Sequence, residues 1–474
     1  MKAKTASFDL QQDYRGKRVT IMGLGLFGGG VGAARYFAKQ GAAVTVTDTR
    51  PESDLKPSIQ ALEGLPIRYV LGGHNIEDFR TADVVLVNPG VPADSPLVVM
   101  ARGAGAQIEH SINLLFKLTP QNPKIGITGS NGKSTTTALV GEMMSLFDTR
   151  TLVGGNIGKC LLSETEKLPA GVPMVIELSS FMLEGLAELR QSPHVSIVTN
   201  LSPNHLDRHV TMEAYTAAKR NIVAFQKSTD FAILNYDDPA LRSWGKQASG
   251  RVAWFSVKTE PEGDSAFLDG EKLVVRLGDV EEVVALRQAL RLPGQHNVAN
   301  ALAASIAALA AGVKPWQIAE ALATFIGLPH RLEMVARSAY SVTYYNDSIA
   351  TTPESAICAL LSFDGPITLI AGGYDKGSPF DELGQAIAKK ARRLILLGTT
   401  APKIEEAVRR AAQEIMRGPS IHRARDLEHA AKLAASGALP GEVVLLSPAC
   451  ASYDMFRNFQ ERGEQFRALA KRLA

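Results

Sequence analysis

Short apolar runs edged by glycine, proline or polar residues recur along the whole chain, separated by longer stretches rich in Ala, Arg and Glu that read as helices. The first run, "RVTIMGLGLFGGG", is a strand entering a cluster of glycines. The helix-like "VGAARYFAKQG" and a second strand, "AAVTVTDTR", follow it, and "ADVVLVNPGVP" adds a further strand that ends in a Pro/Gly turn. Strand, turn, helix, strand in that order predicts a parallel sheet of the Rossmann kind. A second block is predicted from "PKIGITGSNGKSTTT", with buried strands at "PMVIELSS", "HVSIVTNLS" and "DFAILNYDD". A third, carrying "YNDSIATTPESA", "PITLIAGGYDKG", "RLILLGTTA" and "GEVVLLSPACASYD", again alternates strand and helix and reads as a second Rossmann-like unit. The predicted fold is therefore α/β with three domains: residues 1–113 Rossmann-like, 114–328 a central phosphate-loop domain on a mostly parallel sheet, and 329–474 Rossmann-like.

Length agrees with this division, since 474 residues suffice for about two to four domains, each with its own core. Charge adds little: 51 basic against 48 acidic residues leave +3, and no like-charged run forms a nucleic-acid arm. Nucleic acid is not an expected partner, and the chain is expected to act as a monomer. The longest apolar segment, "ALAASIAALAAGV" from Ala301, is shorter than the roughly 20 residues of a membrane span. It predicts a buried helix, and no membrane insertion. Cys160, Cys358 and Cys450 stand far apart without a CxxC pair, which predicts buried, unpaired thiols and a reducing compartment. The N-terminal "MKAKTASFDLQQDYRGKR" scatters charge where a secretion signal needs an apolar core, so a cytoplasmic location is expected.

Three patterns carry candidate chemistry. Gly23-x-Gly25-x-x-Gly28 with Asp48 beyond it is the dinucleotide fingerprint, in which glycines let backbone approach phosphate and the acid takes ribose hydroxyls. On its own it predicts NAD and an oxidoreductase. The Asn88-Pro89-Gly90 turn is either a plain loop or a ligand-binding strand end. "GITGSNGKSTTT" supplies Gly129, Gly132, Lys133 and Ser134 between a strand and a helix, the parts of a phosphate loop in a form shorter than the general spacing. Glu177 ends one strand of the same block and His205 lies just past another, where a carboxylate and an imidazole beside a triphosphate make suitable magnesium ligands. Taken alone, His205 would read as a structural histidine.

In order along the chain, "TGSNGKSTT", "VIELSSF", "TNLSPNHLDRH", "GQHNVANALAA" and "LPHRLE" resemble the Mur ligase family of peptidoglycan synthesis, and the likeness runs from "GLGLFG" to "SPACASYDMFRNFQERG". The third block lacks the "DYAHNP" and "DNPR" stretches of members that add later amino acids. Its "YNDSIATTPES", "AGGYDKG" and "LSPACASYDMFRNF" resemble the glutamate-adding branch instead. This implies an ATP-dependent ligase joining glutamate to UDP-N-acetylmuramoyl-L-alanine through an acyl phosphate.

The resemblance also implies site residues. Gly129, Ser130, Asn131, Gly132, Lys133, Ser134, Thr135 and Thr136 would hold ATP, with Asn297 near adenine, Arg331 near the γ-phosphate and Asp347 on the ribose. Ser134 and Glu177 would bind one magnesium, and His205 with a carbamylated Lys219 a second. Lys219 lies two turns into a helix that Thr211 can cap. The UDP substrate replaces NAD: Gly25, Leu26, Phe27 and Gly28 match the pyrophosphate turn, Asp48, Thr49 and Arg50 the uracil and ribose stretch, and Gly90 and Asn156 further substrate contacts. Thr351, Lys376, Ser452 and Phe459 match contacts to glutamate. The family's "NDSKATN" is "NDSIATT" here, so Ile349 stands where a lysine is common, which leaves an L-glutamate preference open beside the D-glutamate one.

Overall fold

The structure, a computed structural model, describes residues 13–26, 28–92, 94–158, 160–204 and 206–474. Among the described residues three sheets form. The first contains β1 (Arg18–Met22), β2 (Ala43–Asp48), β3 (Ile67–Leu71), β4 (Val84–Val87) and β5 (Gln107–His110), all parallel in the order β3-β2-β1-β4-β5. Its central strands β1 and β4 are near-continuous apolar runs, as burial under helices on both faces requires. Strand order reverses between β1 and β4, so the glycine-rich loop after β1 and the Asn88–Gly90 loop after β4 emerge side by side.

The second sheet comprises β6 (Lys124–Thr128), β7 (Leu152–Gly155), β8 (Met174–Glu177), β9 (Val195–Val198), β10 (Phe231–Asn235), β11 (Arg251–Ser256), β12 (Ser265–Asp269), β13 (Lys272–Leu277) and β14 (Val280–Leu286). Its order is β14-β13-β12-β11-β10-β9-β6-β8-β7, parallel from β7 to β12. The antiparallel β12-β13-β14 edge is not among the sequence expectations. Its strands are joined by the two-residue turns Gly270–Glu271 and Gly278–Asp279, and the edge strand "VEEVVAL", though largely apolar, is mostly exposed. β6 lies between β8 and β9, which brings the loop after it against both neighbouring strand ends.

The third sheet holds β15 (Glu333–Arg337), β16 (Thr343–Asn346), β17 (Ile367–Ala371), β18 (Ala391–Leu396), β19 (Ser420–Arg423) and β20 (Val443–Leu446), ordered β15-β16-β20-β17-β18-β19. Only β15 runs antiparallel, to β16. The chain forms two compact units: residues up to Leu286 with Ala299–Leu322, and Arg287–Val298 with Ala323–Ala474. Ala301–Ala308, in the helix predicted as buried, has no exposed residue. Among the described residues no helix is long and apolar enough to cross a membrane. The thiols depart in part from expectation: Cys450 is buried and Cys160 half-buried, but Cys358 is exposed because its helix turns that position outward, and none is in a disulfide.

Candidate active site

In the first unit, the loop after β6 is folded as a phosphate cradle. Gly132 caps the helix Lys133–Phe147 with φ 84° and Gly129 has φ 147°, both in the region that side chains disfavour. Space excludes side chains as well: a Cβ on Gly129 would collide with Thr199 Oγ1 and one on Gly132 with Asn300 Oδ1. The segment after β9 braces the loop. Thr199 Oγ1 donates to the Asn131 carbonyl at 2.6 Å, Asn200 Oδ1 accepts from Asn131 N–H at 2.9 Å, and Ser130 Oγ donates to the Ser202 carbonyl at 2.8 Å. Ser130 Oγ also meets the Tyr215 hydroxyl at 3.1 Å. The backbone N–H groups at this helix N-terminus suit phosphate oxygens. Lys133 folds back so that Nζ donates to the carbonyls of Gly129 and Ser130, each at 2.9 Å. Thr135 and Thr136 are buried, and Ser134 half-buried, on the first turn.

Glu177 ends β8, in register with Ile127 of β6. Its Oε1 accepts from Asn156 Nδ2 at 2.8 Å, while Oε2 is buried without a hydrogen-bond partner among the described residues. An unpaired buried carboxylate oxygen beside a phosphate loop is costly unless a cation completes it, which suits a hard divalent ion such as magnesium. Lys219 projects from the helix Met212–Ala224, whose N-terminus Thr211 caps as expected. Its Nζ donates to Gly129 O at 2.9 Å and Thr128 Oγ1 at 3.3 Å and lies 4.7 Å from the Tyr215 ring centre. Burial, reinforced by the Lys133 charge and opposed by Glu177, lowers its pKa to about 6. The structure thus brings together the loop, Glu177 and Lys219. His205 and Phe27 lie outside the described residues.

At the first sheet's switch point, Asp48 is buried and faces the glycine loop. Oδ2 accepts from the N–H groups of Leu24 and Gly25 at 3.0 and 3.1 Å, and Oδ1 from that of Arg50 at 3.0 Å. Burial pushes its pKa up, but these donors outweigh it and hold the carboxyl below the usual range. Asp48 therefore organises Gly25 and Arg50 through its carboxylate, while Leu26 and Arg50 stay exposed and Gly28 caps the helix Gly29–Lys39. Thr49 follows β2 on the exposed turn. Asn88 closes the loop from the other side, its Nδ2 donating to Gly23 O. Asn156, expected as a substrate contact, holds Glu177 in this arrangement.

In the second unit, Arg331 lies between His330 at φ 63° and Leu332 at φ 42°, two non-glycine residues in the left-handed region, and its Nε is buried without a partner among the described residues. Such strain persists where a fixed geometry is required. Asp347 is buried, accepting from Leu332 N–H at 3.2 Å and Ser447 Oγ at 2.8 Å, and burial raises its pKa to about 7. Asn297 donates to Pro293 O at 2.7 Å, and burial together with Arg331 lowers the neighbouring His296 to about 4. Thr351, Ser452 and Lys376 follow β16, β20 and β17, three adjacent parallel strands, so their loops converge at one sheet end. Ser452 is buried, Thr351 half-buried, and Lys376 exposed with Nζ 5.8 Å from the Tyr453 ring centre. Phe459 opens the last helix, and its carbonyl accepts from Ser348 Oγ at 2.8 Å. Fully buried Arg462, absent from the sequence reading, joins these loops by donating to Ser348 O at 2.8 Å and Cys450 O at 3.1 Å.

Comparison with known proteins agrees with this geometry. Family models described as the Mur ligase MurD-like N-terminal domain, the Mur ligase middle domain and the Mur ligase glutamate ligase domain match residues 17–109, 127–308 and 330–450. A UDP-N-acetylmuramoylalanine–D-glutamate ligase of Roseiflexus sp. (strain RS-1) is 45% identical over 465 residues, covering 96% of this chain and 98% of that one. The chain belongs to the Mur ligase family. A second Mur ligase relative, of the same name from Symbiobacterium thermophilum, is 42% identical, covering 97% and 98%. The Mur ligase fold recurs in UDP-N-acetylmuramate-alanine ligase of Thermotoga maritima, with TM-score 0.60 at 19% identity over 95% and 98% of the chains. It recurs again in a pseudomurein peptide ligase type C of Methanothermus fervidus, with TM-score 0.58 at 18% identity over 97% and 100%. The oxidoreductase suggested by the Gly23–Asp48 fingerprint finds no support among these relatives.

Proposed function

We propose that the chain is an ATP-dependent ligase that adds D-glutamate to UDP-N-acetylmuramoyl-L-alanine, making a peptidoglycan precursor. The observation that carries the reading is the phosphate cradle with the unpaired Glu177 oxygen beside it, in a chain 45% identical to a D-glutamate ligase. Residues 1–113 would bind the UDP substrate, 114–328 ATP, and 329–474 glutamate and part of ATP. ATP and nucleotide sugar suit a cytoplasmic enzyme, and a monomer is the form proposed.

The substrate carboxylate attacks the γ-phosphorus, releasing ADP and forming an acyl phosphate. The glutamate amine then attacks the acyl carbon, losing a proton as phosphate leaves. Positioning and charge neutralisation are the protein's contribution. Lys133 would leave its loop carbonyls for the β- and γ-phosphates, and Arg331 would meet the transferring phosphoryl group with a planar fork. Asn297 and Asp347 would hold adenine and ribose. Gly25, Leu26, Phe27, Gly28, Asp48, Thr49, Arg50, Gly90 and Asn156 would bind the UDP substrate. Thr351, Lys376, Ser452 and Phe459 would bind glutamate, whose carboxylates need such donors.

Two magnesium ions would be held, one by Ser134 and Glu177 and the other by His205 and a carbamylated Lys219. Bound magnesium supplies neutralisation of the developing phosphate charge. A neutral, buried Lys219 amine is the form that captures carbon dioxide, and its lowered pKa supports that modification. Incubation with ATP, magnesium, D-glutamate and UDP-N-acetylmuramoyl-L-alanine should yield a nucleotide product heavier by one glutamyl residue. An unchanged nucleotide mass under these conditions would sink the reading.

A further inference from the structure

Arg208 belongs to the "TNLSPNHLDRH" stretch, yet the reaction as described above gives it no task. Its guanidinium reaches across to the loop after β4, where Nη1 donates to the Gly90 carbonyl at 2.9 Å and Nη2 to the Val91 carbonyl at 2.7 Å. Two successive carbonyls on one planar fork form a directional clamp that a lysine ammonium cannot reproduce. The fork is held in turn, since it lies 5.0 Å from the Phe181 ring centre. Phe181 stacks on His209, which bonds Ser180 Oγ at 2.9 Å.

The clamped loop is short and pinned at its other end. Val91 N–H donates to Asn88 O at 2.9 Å, and Asn88 Nδ2 donates to Gly23 O in the glycine loop after β1. One chain of contacts therefore runs from the glycine loop through Asn88 and Gly90–Val91 to Arg208, three residues from His205. We infer that Arg208 is a positioning residue that fixes the 88–91 loop against the phosphate-loop block, and so aligns the sugar-nucleotide substrate with the site of phosphoryl transfer. This rests on the ligase reading above, in which Gly90 touches that substrate and His205 serves the metal.

Two measurements on Arg208→Ala and Arg208→Lys test it. Hydrogen exchange in the wild type and both variants reads the clamp itself, whatever the enzyme's reaction: the 88–91 segment should exchange faster in both variants, and unchanged exchange would overturn the clamp. Steady-state kinetics reads its purpose. The KM for UDP-N-acetylmuramoyl-L-alanine should rise about tenfold in the alanine variant, the scale of one lost charge-assisted hydrogen bond, while the KM for ATP stays near that of the wild type. Lysine should restore little, and added guanidinium should restore part of the alanine variant's affinity. An unchanged KM for the sugar nucleotide, or an equal rise for ATP, would overturn the positioning role even with faster exchange. A wild type that ligates nothing would remove the ligase reading and this role with it, leaving only the clamp.

Discussion

Lys133 and Lys219 both donate to the carbonyl oxygen of Gly129, each at 2.9 Å. Burial disfavours the charged form of the more deeply placed ammonium, and the charge of its neighbour adds to that effect. Lys219 is the deeper of the two, with a pKa near 6.

Replacing Lys219 with Ala should remove most activity and leave UDP-substrate binding intact, because the lysine is assigned to the metal and not to the sugar nucleotide. Acetate, a small carboxylate that can enter the space vacated, should restore part of the rate. Full activity of the alanine variant without additives would end the carbamate assignment.

The same lysine predicts a pH dependence of stability. Its folded pKa, about 6, is below the unfolded value near 10.4. Between these limits only the unfolded chain binds the proton, so this group makes stability rise as pH increases from about 6 and contributes no slope below that. Urea midpoints in carbon-dioxide-free buffer should show a weaker rise between pH 6 and 9 in Lys219→Met than in the wild type. Parallel curves would show that Lys219 stays charged in the fold.

Gly132→Ala should abolish ATP binding. The added methyl meets Asn300 Oδ1, and the residue's φ of 84° adds about 1–2 kcal/mol of backbone strain for an L side chain. Isothermal titration with ATP checks it, and wild-type affinity would mean that the cradle is not the ATP site. Lys133→Ala should abolish ligation while the fold, read by circular dichroism, persists.

Lys376→Ala should raise the KM for glutamate far more than that for ATP, since only glutamate would lose a charge-assisted contact. An equal rise in both would move Lys376 to the nucleotide. With Ile349 where a lysine is common in the family, Lys376 is the lysine assigned to the amino acid here.

Much of this architecture was legible in the sequence because its signals are local. Apolar runs mark the buried parallel strands, and Gly129, Gly132 and Lys133 lie within a few residues of one another. Thr211 announces the helix that carries Lys219. What braces these parts was not legible: Thr199, Asn200 and Asn300 meet the phosphate loop only after the chain has folded back, and no spacing records that. Arg462 reads as an ordinary helical arginine until burial shows it joining the Ser348 and Cys450 loops. The β12-β13-β14 edge was not legible because successive antiparallel hairpins break the alternation of strand and helix that marks the rest of the sheet, and Cys358 because a helical cysteine can face either way. Asp48 was expected beside a ribose, but its bonds to the N–H groups of Leu24, Gly25 and Arg50 are recorded by no spacing.

The most direct test of the central claim is phosphate release from ATP with UDP-N-acetylmuramoyl-L-alanine and either D- or L-glutamate, measured side by side. The ligase reading predicts release that requires both the sugar nucleotide and glutamate and is much faster with the D isomer. Release indifferent to glutamate, or faster with the L isomer, would contradict it.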